Sequence, residues 1–202
     1  MKSSRVIRRR DEGTPLTIDI ALLHYPVYDR QGMVIATALT TLDIHDLARL
    51  AKTYGVGGFY LVTPLRSQQE LARRLIDHWV RGRGATYNPT RKEALSLVRM
   101  ADDLEHALKE IEHDRGRRAK TVATAARRYT MARTYEDMND LLHQQWEDPY
   151  VIIFGTGWGL TQEMVERSDY VLEPIGGEGY NHLSVRTAAA IILDRLLGRR
   201  GQ

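Results

Sequence analysis

The end of this chain contains two short apolar segments that each run directly into a glycine-rich loop. Residues 151–154 precede Gly-Thr-Gly-Trp-Gly, and residues 170–172 precede a second loop with glycines at 176, 177 and 179. Glycine has no Cβ, so loops of this kind let the main chain approach a ligand closely. The pattern predicts a pocket built largely from main chain and suited to a flat or bulky ligand.

Short apolar runs alternate with amphipathic segments along the rest of the chain. Strands are predicted at 16–23, 33–39, 59–62, 97–100, 121–125, 150–154 and 170–172. Helices are predicted from Asp43 onward and at about 67–79, 91–94, 102–112, 135–143, 161–167 and 185–197. This alternation predicts an α/β fold with a mostly parallel sheet flanked by helices. A ligand in such a sheet lies beyond the carboxyl ends of the strands, which selects the loops after Ala125, Phe154 and Leu172.

Local patterns add predictions about burial and capping. The segment 33–39 is apolar throughout, as is typical of a strand buried on both faces. Asp43 is predicted to cap the helix that follows it, and Ser184 to cap the last helix. In the helix at 67–79, the residues predicted to face inward are Leu71, Leu75 and Ile76. In the last helix, the predicted inward stripe is Val185, Ala188, Ala189, Ile192, Leu193 and Leu196.

Length and composition exclude several classes of protein. With 202 residues, we expect a single domain over 15–202 after a flexible basic arm at 1–14. The absence of cysteine excludes thiolate metal sites, and the seven histidines show no metal-binding spacing, so no metal site is predicted. No apolar run matches a membrane helix, and the basic start lacks the apolar region of a signal peptide. We therefore expect a cytoplasmic protein that does not enter a membrane.

The positive charge is concentrated in two segments, although the formal net charge is only +3. Residues 1–10 contain five basic side chains and residues 115–133 contain seven, and neither segment contains an acid. Such clusters attract nucleic-acid phosphates, and the alternative is a solvated tail and a solvated turn. The predicted phosphate contacts are Arg117, Arg118, Arg127 and Arg128.

Two candidate ligand segments also have a purely structural explanation. The loop at 155–159 is either a ligand loop or a tight turn, and Trp158 either stacks on a ligand or covers the edge of the core. Residues 181–184 are either a helix-capping segment or a set of main-chain ligand contacts. His182 is a candidate general base, although a lone histidine is more often structural.

Three blocks of sequence together resemble a known family. They are Thr40-Thr-Leu-Asp-Ile-His-Asp-Leu-Ala-Arg49 with Tyr54-Gly-Val56, Phe154-Gly-Thr-Gly-Trp-Gly-Leu160, and Leu172-Glu-Pro-Ile through Asn181-His-Leu-Ser-Val-Arg-Thr-Ala-Ala-Ala-Ile191. Over residues 15–198 the chain resembles the SPOUT, or α/β-knot, class of S-adenosylmethionine-dependent RNA methyltransferases. It is most similar to a small bacterial family of predicted RNA methyltransferases, which is sometimes attached to a tRNA guanine-N1 methyltransferase.

The resemblance has implications for fold, ligands and assembly. It implies a C-terminal trefoil knot, in which residues 151–198 thread through a loop begun near 121. It implies S-adenosylmethionine as cofactor, RNA (tRNA or rRNA) as partner, and a homodimer. Arg49 would position the acceptor, and Asn181 and Arg186 are further catalytic candidates. The implied cofactor-binding residues are Thr124, Ala125, Phe154, Gly155, Thr156, Gly157, Gly159, Leu172, Pro174, Ile175, Tyr180, Asn181, His182, Leu183, Ser184 and Ala188.

The chain also departs from the pattern of the SPOUT enzymes that methylate ribose. Many of those have asparagine where this chain has Thr40 or Thr41, and glutamate where it has Thr156 or Trp158. These departures disfavour 2′-O-methylation of ribose and leave open the methylation of a base or of an unusual target. The alternative is a non-catalytic SPOUT-like module that binds RNA or a protein partner.

Overall fold

A parallel six-stranded sheet forms the centre of the molecule. The computed structural model describes residues 17–198, so the predicted basic arm at 1–14 lies outside the described residues. The strands are β1 (Ile18–Leu23), β2 (Val27–Tyr28), β3 (Val34–Ile35), β4 (Phe59–Val62), β5 (Val98–Ala101), β6 (Lys120–Ala123), β7 (Tyr150–Gly155) and β8 (Tyr170–Val171). The order across the sheet is β5-β4-β1-β7-β6-β8, and β2 pairs with β3 in a separate antiparallel hairpin.

Helices cover both faces of this sheet. They are α1 (Thr41–Thr53), α2 (Arg66–Val80), α3 (Arg83–Tyr87), α4 (Pro89–Leu95), α5 (Leu104–Arg115), α6 (Tyr135–Gln144), α7 (Gln162–Glu166) and α8 (Val185–Leu197). Successive strand residues point to opposite faces, so Ile20 and Leu22 of β1 join one core and Ala21 and Leu23 join the other. The first core packs against α1, α2, α4, α6 and α8, and the second against α5, α7 and the hairpin. The predicted α/β class with a parallel sheet is confirmed.

The start of α1 differs from the prediction by three residues. Thr40 is the N-cap, and its hydroxyl accepts a hydrogen bond of 3.1 Å from the Asp43 N–H. The same hydroxyl donates to the Asp43 carboxylate at 2.6 Å. The Thr40 hydroxyl thus makes both hydrogen bonds to Asp43, which lies inside the helix at the third position after the cap. The prediction of Asp43 as the cap is therefore wrong.

The segment at 33–39 is not a buried strand, which corrects a second prediction. Only Val34 and Ile35 pair with a strand, and Met33 is 64% exposed. The Asp29 carboxylate accepts hydrogen bonds of 2.8 Å from the Gln31 and Met33 N–H groups, which stabilises a tight turn before β3. The apolar run thus folds back on β2 instead of entering the sheet.

The last helix, α8, begins and packs as predicted. Ser184 is its N-cap and accepts a hydrogen bond from the Thr187 N–H at 3.2 Å. Its buried stripe of Ala189, Ile192, Leu193 and Leu196 packs in the same core as α1 and β7. The first turn of α8 consequently lies at the carboxyl end of the central strands, beside the first turn of α1.

Candidate active site

A cavity of about 680 Å³ lies at the carboxyl ends of the central strands. Its wall is formed by the loops after β6, β7 and β8, by the first turns of α8, and by the segment 37–43 that leads into α1. Pockets of this size typically bury small organic ligands or cofactors. The position agrees with the general rule for parallel sheets, in which ligands lie outside the carboxyl edge.

Most of the predicted cofactor residues form the wall of this cavity. They are Thr124, Ala125, Phe154, Gly155, Thr156, Gly157, Gly159, Ile175, Asn181, His182, Leu183, Ser184 and Ala188. Leu172, Pro174 and Tyr180 are outside the wall. Leu172 is buried in the core, where its N–H donates to the Ala123 carbonyl, while Tyr180 is 72% exposed. The loops that the sequence predicts thus line this cavity, although three of the predicted side chains lie outside its wall.

The glycine loop after β7 is closed by main-chain contacts to the hairpin. The Trp158 N–H donates to the Tyr28 carbonyl at 2.8 Å, and the Tyr28 N–H donates to the Gly159 carbonyl at 2.9 Å. Gly157 has a φ of +59°, and a Cβ added there would lie 2.8 Å from the Tyr28 oxygen. At Gly157 the close approach is therefore to the hairpin and not to the cavity.

A buried chain of hydrogen bonds links this loop to the segment before α1. The Thr156 hydroxyl donates to the Leu23 carbonyl at 3.0 Å, so its oxygen can accept from the Thr37 hydroxyl, which lies at 2.5 Å. The Thr37 oxygen then accepts from His24 Nδ1 at 3.0 Å. Burial lowers the pKa of His24 to about 4, so the imidazole is neutral at pH 7. Thr156 is therefore a fixed structural link between the glycine loop and the segment before α1.

An ion pair lies where α1 meets α8. Among the described residues, Asp43 is the one in the cavity wall that carries a carboxylate, and it is almost fully buried. Arg186 Nε lies 3.4 Å from Asp43 Oδ1, and Arg186 Nη1 lies 3.4 Å from Asp46 Oδ2. From the sequence, Asp43 is predicted only as a helix cap, although its place in the first family block was an available signal. The structure thus brings Arg186 to the cavity through a carboxylate that the sequence reasoning missed.

The other two catalytic candidates occupy different positions. Asn181 lies in the wall, and its Nδ2 donates to the Ala126 carbonyl at 2.9 Å, which ties the loop after β8 to the loop after β6. Arg49 is exposed and does not contribute to the wall. It lies six residues after Asp43 on α1, or about 9 Å along the helix axis.

Aromatic side chains surround the mouth of the cavity. The His182 ring lies 5.8 Å from the Trp158 ring and 5.4 Å from the Tyr180 ring, both in edge-on arrangements. Trp158 is 58% exposed, so it does not cover the core, and this structural alternative is not supported. A planar group that enters the cavity would pass these rings.

The four predicted phosphate contacts lie at two different edges of the sheet. Arg127 lies in the cavity wall and Arg128 follows it, both exposed, because the loop after β6 is at the carboxyl edge. Arg117 and Arg118 precede β6 and therefore lie at the opposite edge. Arg117 pairs with Asp148 at 3.4 Å, and Arg118 pairs with Asp169 at 3.6 Å. The structure does not bring the two pairs of arginines together.

Two kinds of feature are absent from residues 17–198. No group of three or more His, Cys, Asp or Glu side chains could hold a metal ion within this range. Within the same range, no helix combines the length and the apolar character that a membrane-spanning segment requires.

Comparison with solved structures defines the fold class. The SpoU methyltransferase AviRb of Streptomyces viridochromogenes, solved in complex with AdoMet, superposes with a TM-score of 0.54. The superposition covers 92% of this chain and 61% of AviRb at 16% sequence identity. At this identity the likeness shows a shared fold, which is the SPOUT fold that the sequence blocks predicted.

Sequence comparison then shows the family. The model of a SAM-dependent RNA methyltransferase family matches residues 17–198, and the chain belongs to that family. An uncharacterised protein of Aquifex aeolicus is 44% identical over 89% of this chain and 88% of its own length. A tRNA (guanine-N(1)-)-methyltransferase of Oleidesulfovibrio alaskensis is 42% identical over 96% of this chain. The chain spans only 45% of that second relative.

Proposed function

We propose that this protein binds S-adenosylmethionine in the carboxyl-edge cavity and transfers its methyl group to a nucleotide of tRNA or rRNA. The observation that supports this most directly is a cavity of about 680 Å³ whose wall includes residues from all three family blocks. Its wall offers apolar side chains, such as Leu160, Ile175 and Ile192, for a purine ring. The main chain of residues 124–126 and 181–184 offers polar groups for the rest of the cofactor. The residues present therefore fit this ligand.

The protein's own contribution is alignment and the handling of a proton. The bound cofactor supplies a methyl group that its sulfonium already activates. Asn181 fixes the two loops on either side of the cavity, so that the acceptor and the cofactor can be held in one orientation. The remaining task is to remove the proton that an acceptor N–H or O–H loses on methylation.

We assign the removal of that proton to the carboxylate of Asp43. Among the described residues of the cavity wall, Asp43 is the one with a carboxylate. Arg186 Nε lies 3.4 Å from one of its oxygens, and the Thr40 hydroxyl donates to the other at 2.6 Å. Each carboxylate oxygen can accept a further hydrogen bond. Arg186 thus positions Asp43, while Arg49, outside the wall, is placed to contact the acceptor's phosphate. A nucleobase N–H is the acceptor that such a carboxylate suits best, in keeping with the departures from the ribose-methylating pattern.

The non-catalytic alternative is less well supported. A module that only bound RNA would not need a cavity of cofactor size at the carboxyl edge of its sheet. Transfer of a labelled methyl group into tRNA and rRNA from cells that lack the gene separates the two functions. We expect incorporation into one RNA species. Cofactor binding without incorporation into any cellular RNA would favour the alternative.

A homodimer, a cytoplasmic location and a trefoil knot complete the proposal. Leu42 on α1 is 58% exposed beside the site, and a second subunit would bury it. The proposed tRNA or rRNA substrate is in keeping with a cytoplasmic location. The knot rests on the resemblance of the three sequence blocks to the SPOUT class. Sedimentation measures the dimer, and an experimental chain trace decides the knot.

A further inference from the structure

A third basic segment lies outside the cavity, on helices α3 and α4. Residues 81–92 contain four basic side chains and no acid. Arg83 and Lys92 are exposed and form no ion pair among residues 17–198. Arg81 pairs with Asp77 of the preceding helix at 3.0 Å. We call the surface formed by residues 78–92 together with His45 the α3–α4 face.

Aromatic rings lie among these cations. The Arg91 guanidinium lies 4.3 Å from the centre of the Trp79 ring, in a cation–π arrangement. His45 and His78 contact the same ring edge-on, at 5.7 Å and 5.1 Å between ring centres. Trp79 is therefore held rigidly, and Arg91 presents a planar cation at the surface.

Tyr87 is the exposed ring of this face. Its side chain is 85% exposed, at the end of α3. The next residue, Asn88, caps α4 by accepting a hydrogen bond of 2.9 Å from the Arg91 N–H. The main chain on either side of Tyr87 is thus fixed by helices, while the ring itself is open to solvent. Rigid exposed rings flanked by cations are the arrangement with which proteins bind unpaired nucleotides.

The α3–α4 face adjoins α1 through His45. His45 lies two residues after Asp43 of the cavity wall, about 3 Å along the helix axis but on the opposite side of the helix. Arg49 lies one turn beyond His45 on the same side of α1, about 6 Å farther along the axis from Asp43. Burial lowers the pKa of His45, the charges of Arg91 and Arg49 lower it further, and the charge of Asp46 raises it.

We propose that the α3–α4 face binds a single-stranded part of the RNA substrate, with Tyr87 stacked on a base and with Arg83 and Lys92 at phosphates. This inference rests on the proposed function, because it assumes that the acceptor is RNA. A second copy of the chain fits this face poorly, since a twofold contact would place its unpaired cations against each other.

Fluorescence anisotropy with a short labelled single-stranded RNA of mixed sequence tests the proposal. Loss of one stacked base weakens binding by at least about fivefold, so we expect that from Tyr87→Ala, with Tyr87→Phe binding like the wild type. The double variant Arg83→Ala, Lys92→Ala should lower the slope of log K against log salt by about 0.7 for each lost phosphate contact. Lys109→Ala is the matched control, because Lys109 is exposed on α5 across the sheet.

Two results would overturn the proposal. One is unchanged RNA affinity and salt dependence in both the Tyr87→Ala variant and the double variant. The other is a change in sedimentation of Tyr87→Ala, which would show that a second copy covers the face. Calorimetry with S-adenosylhomocysteine should give wild-type affinity for all these variants. Failure of the wild type to bind that ligand would instead count against the proposed function.

Discussion

His24 and Asp43 show how single residues determine the local chemistry around the cavity. The hydrogen-bond chain from His24 through Thr37 to Thr156 uses an imidazole that donates through Nδ1, and burial keeps this imidazole neutral at pH 7. Asp43, by contrast, is held as a hydrogen-bond acceptor by Thr40 and Arg186. One residue fixes the glycine loop, and the other is available to an acceptor in the cavity.

The buried imidazole predicts a specific loss of stability in acid. The folded-state pKa of His24 is about 4, below the ordinary 6.5, so the unfolded chain binds the proton first as the pH falls. His24 therefore lowers the free energy of unfolding as the pH falls from 6.5 to about 4, by up to ~3 kcal/mol. Urea unfolding of wild type and His24→Asn over this range measures the difference. The same pH slope in both proteins would contradict the assignment.

Replacing Asp43 tests its proposed role. Asp43→Asn keeps the shape of the side chain but cannot take up a proton, so methyl transfer should fall by roughly a hundredfold or more. Affinity for S-adenosylhomocysteine should be unchanged. Asp46→Asn is the control, because Asp46 also pairs with Arg186 but lies outside the cavity wall. Equal loss of activity in both variants would mean that only the position of Arg186 matters.

At the scale of elements, the glycine loop and the hairpin form one unit. A Cβ at Gly157 would meet the Tyr28 carbonyl at 2.8 Å, whereas a Cβ at Gly159 would meet nothing within 4 Å. Both glycines have positive φ values, which cost about 1 kcal/mol for alanine. Gly157→Ala should therefore destabilise the protein more than Gly159→Ala and also weaken cofactor binding. Thermal unfolding and calorimetry check this order, and the reverse order would contradict the contact.

The elements also show which features a sequence can predict. The buried stripe of α8 and the two glycine loops follow from local spacing and were predicted with their residues. The segment 33–39 was not, because a continuous apolar run does not reveal that it pairs in an outlying hairpin. Likewise Leu71, predicted to face inward, is 48% exposed, since the buried residues of α2 are Gln69 and Ala72.

Contacts between distant segments were beyond local reasoning. The pair of Asp43 and Arg186 joins the first helix to the last, and neither residue's neighbours in sequence indicate the other. The α3–α4 face was missed because residues 82–89 have the composition of a loop, although α3 forms there. Tertiary packing of α1, α2 and α4 brings its rings together.

At the scale of the whole molecule, the cavity and the cations around it define one functional edge of the sheet. Arg127→Ala with Arg128→Ala should weaken RNA binding and lower its salt slope, because both residues lie beside the cavity. Arg117→Ala with Arg118→Ala should leave RNA affinity nearly unchanged, since these residues pair with acids at the opposite edge. Anisotropy titrations at several salt concentrations measure both, and an equal effect would place RNA across both edges.

Calorimetric titration with S-adenosylmethionine, on the wild type and on Ala188→Leu, tests the central claim most directly. Ala188 lines the cavity from the first turns of α8, so a larger side chain there would occupy the space of the ligand. We predict binding at one site per chain in the wild type and loss of binding in the variant, with cooperative unfolding retained. Absence of binding to the wild type, or equal binding to both proteins, would contradict the claim that this cavity holds the cofactor.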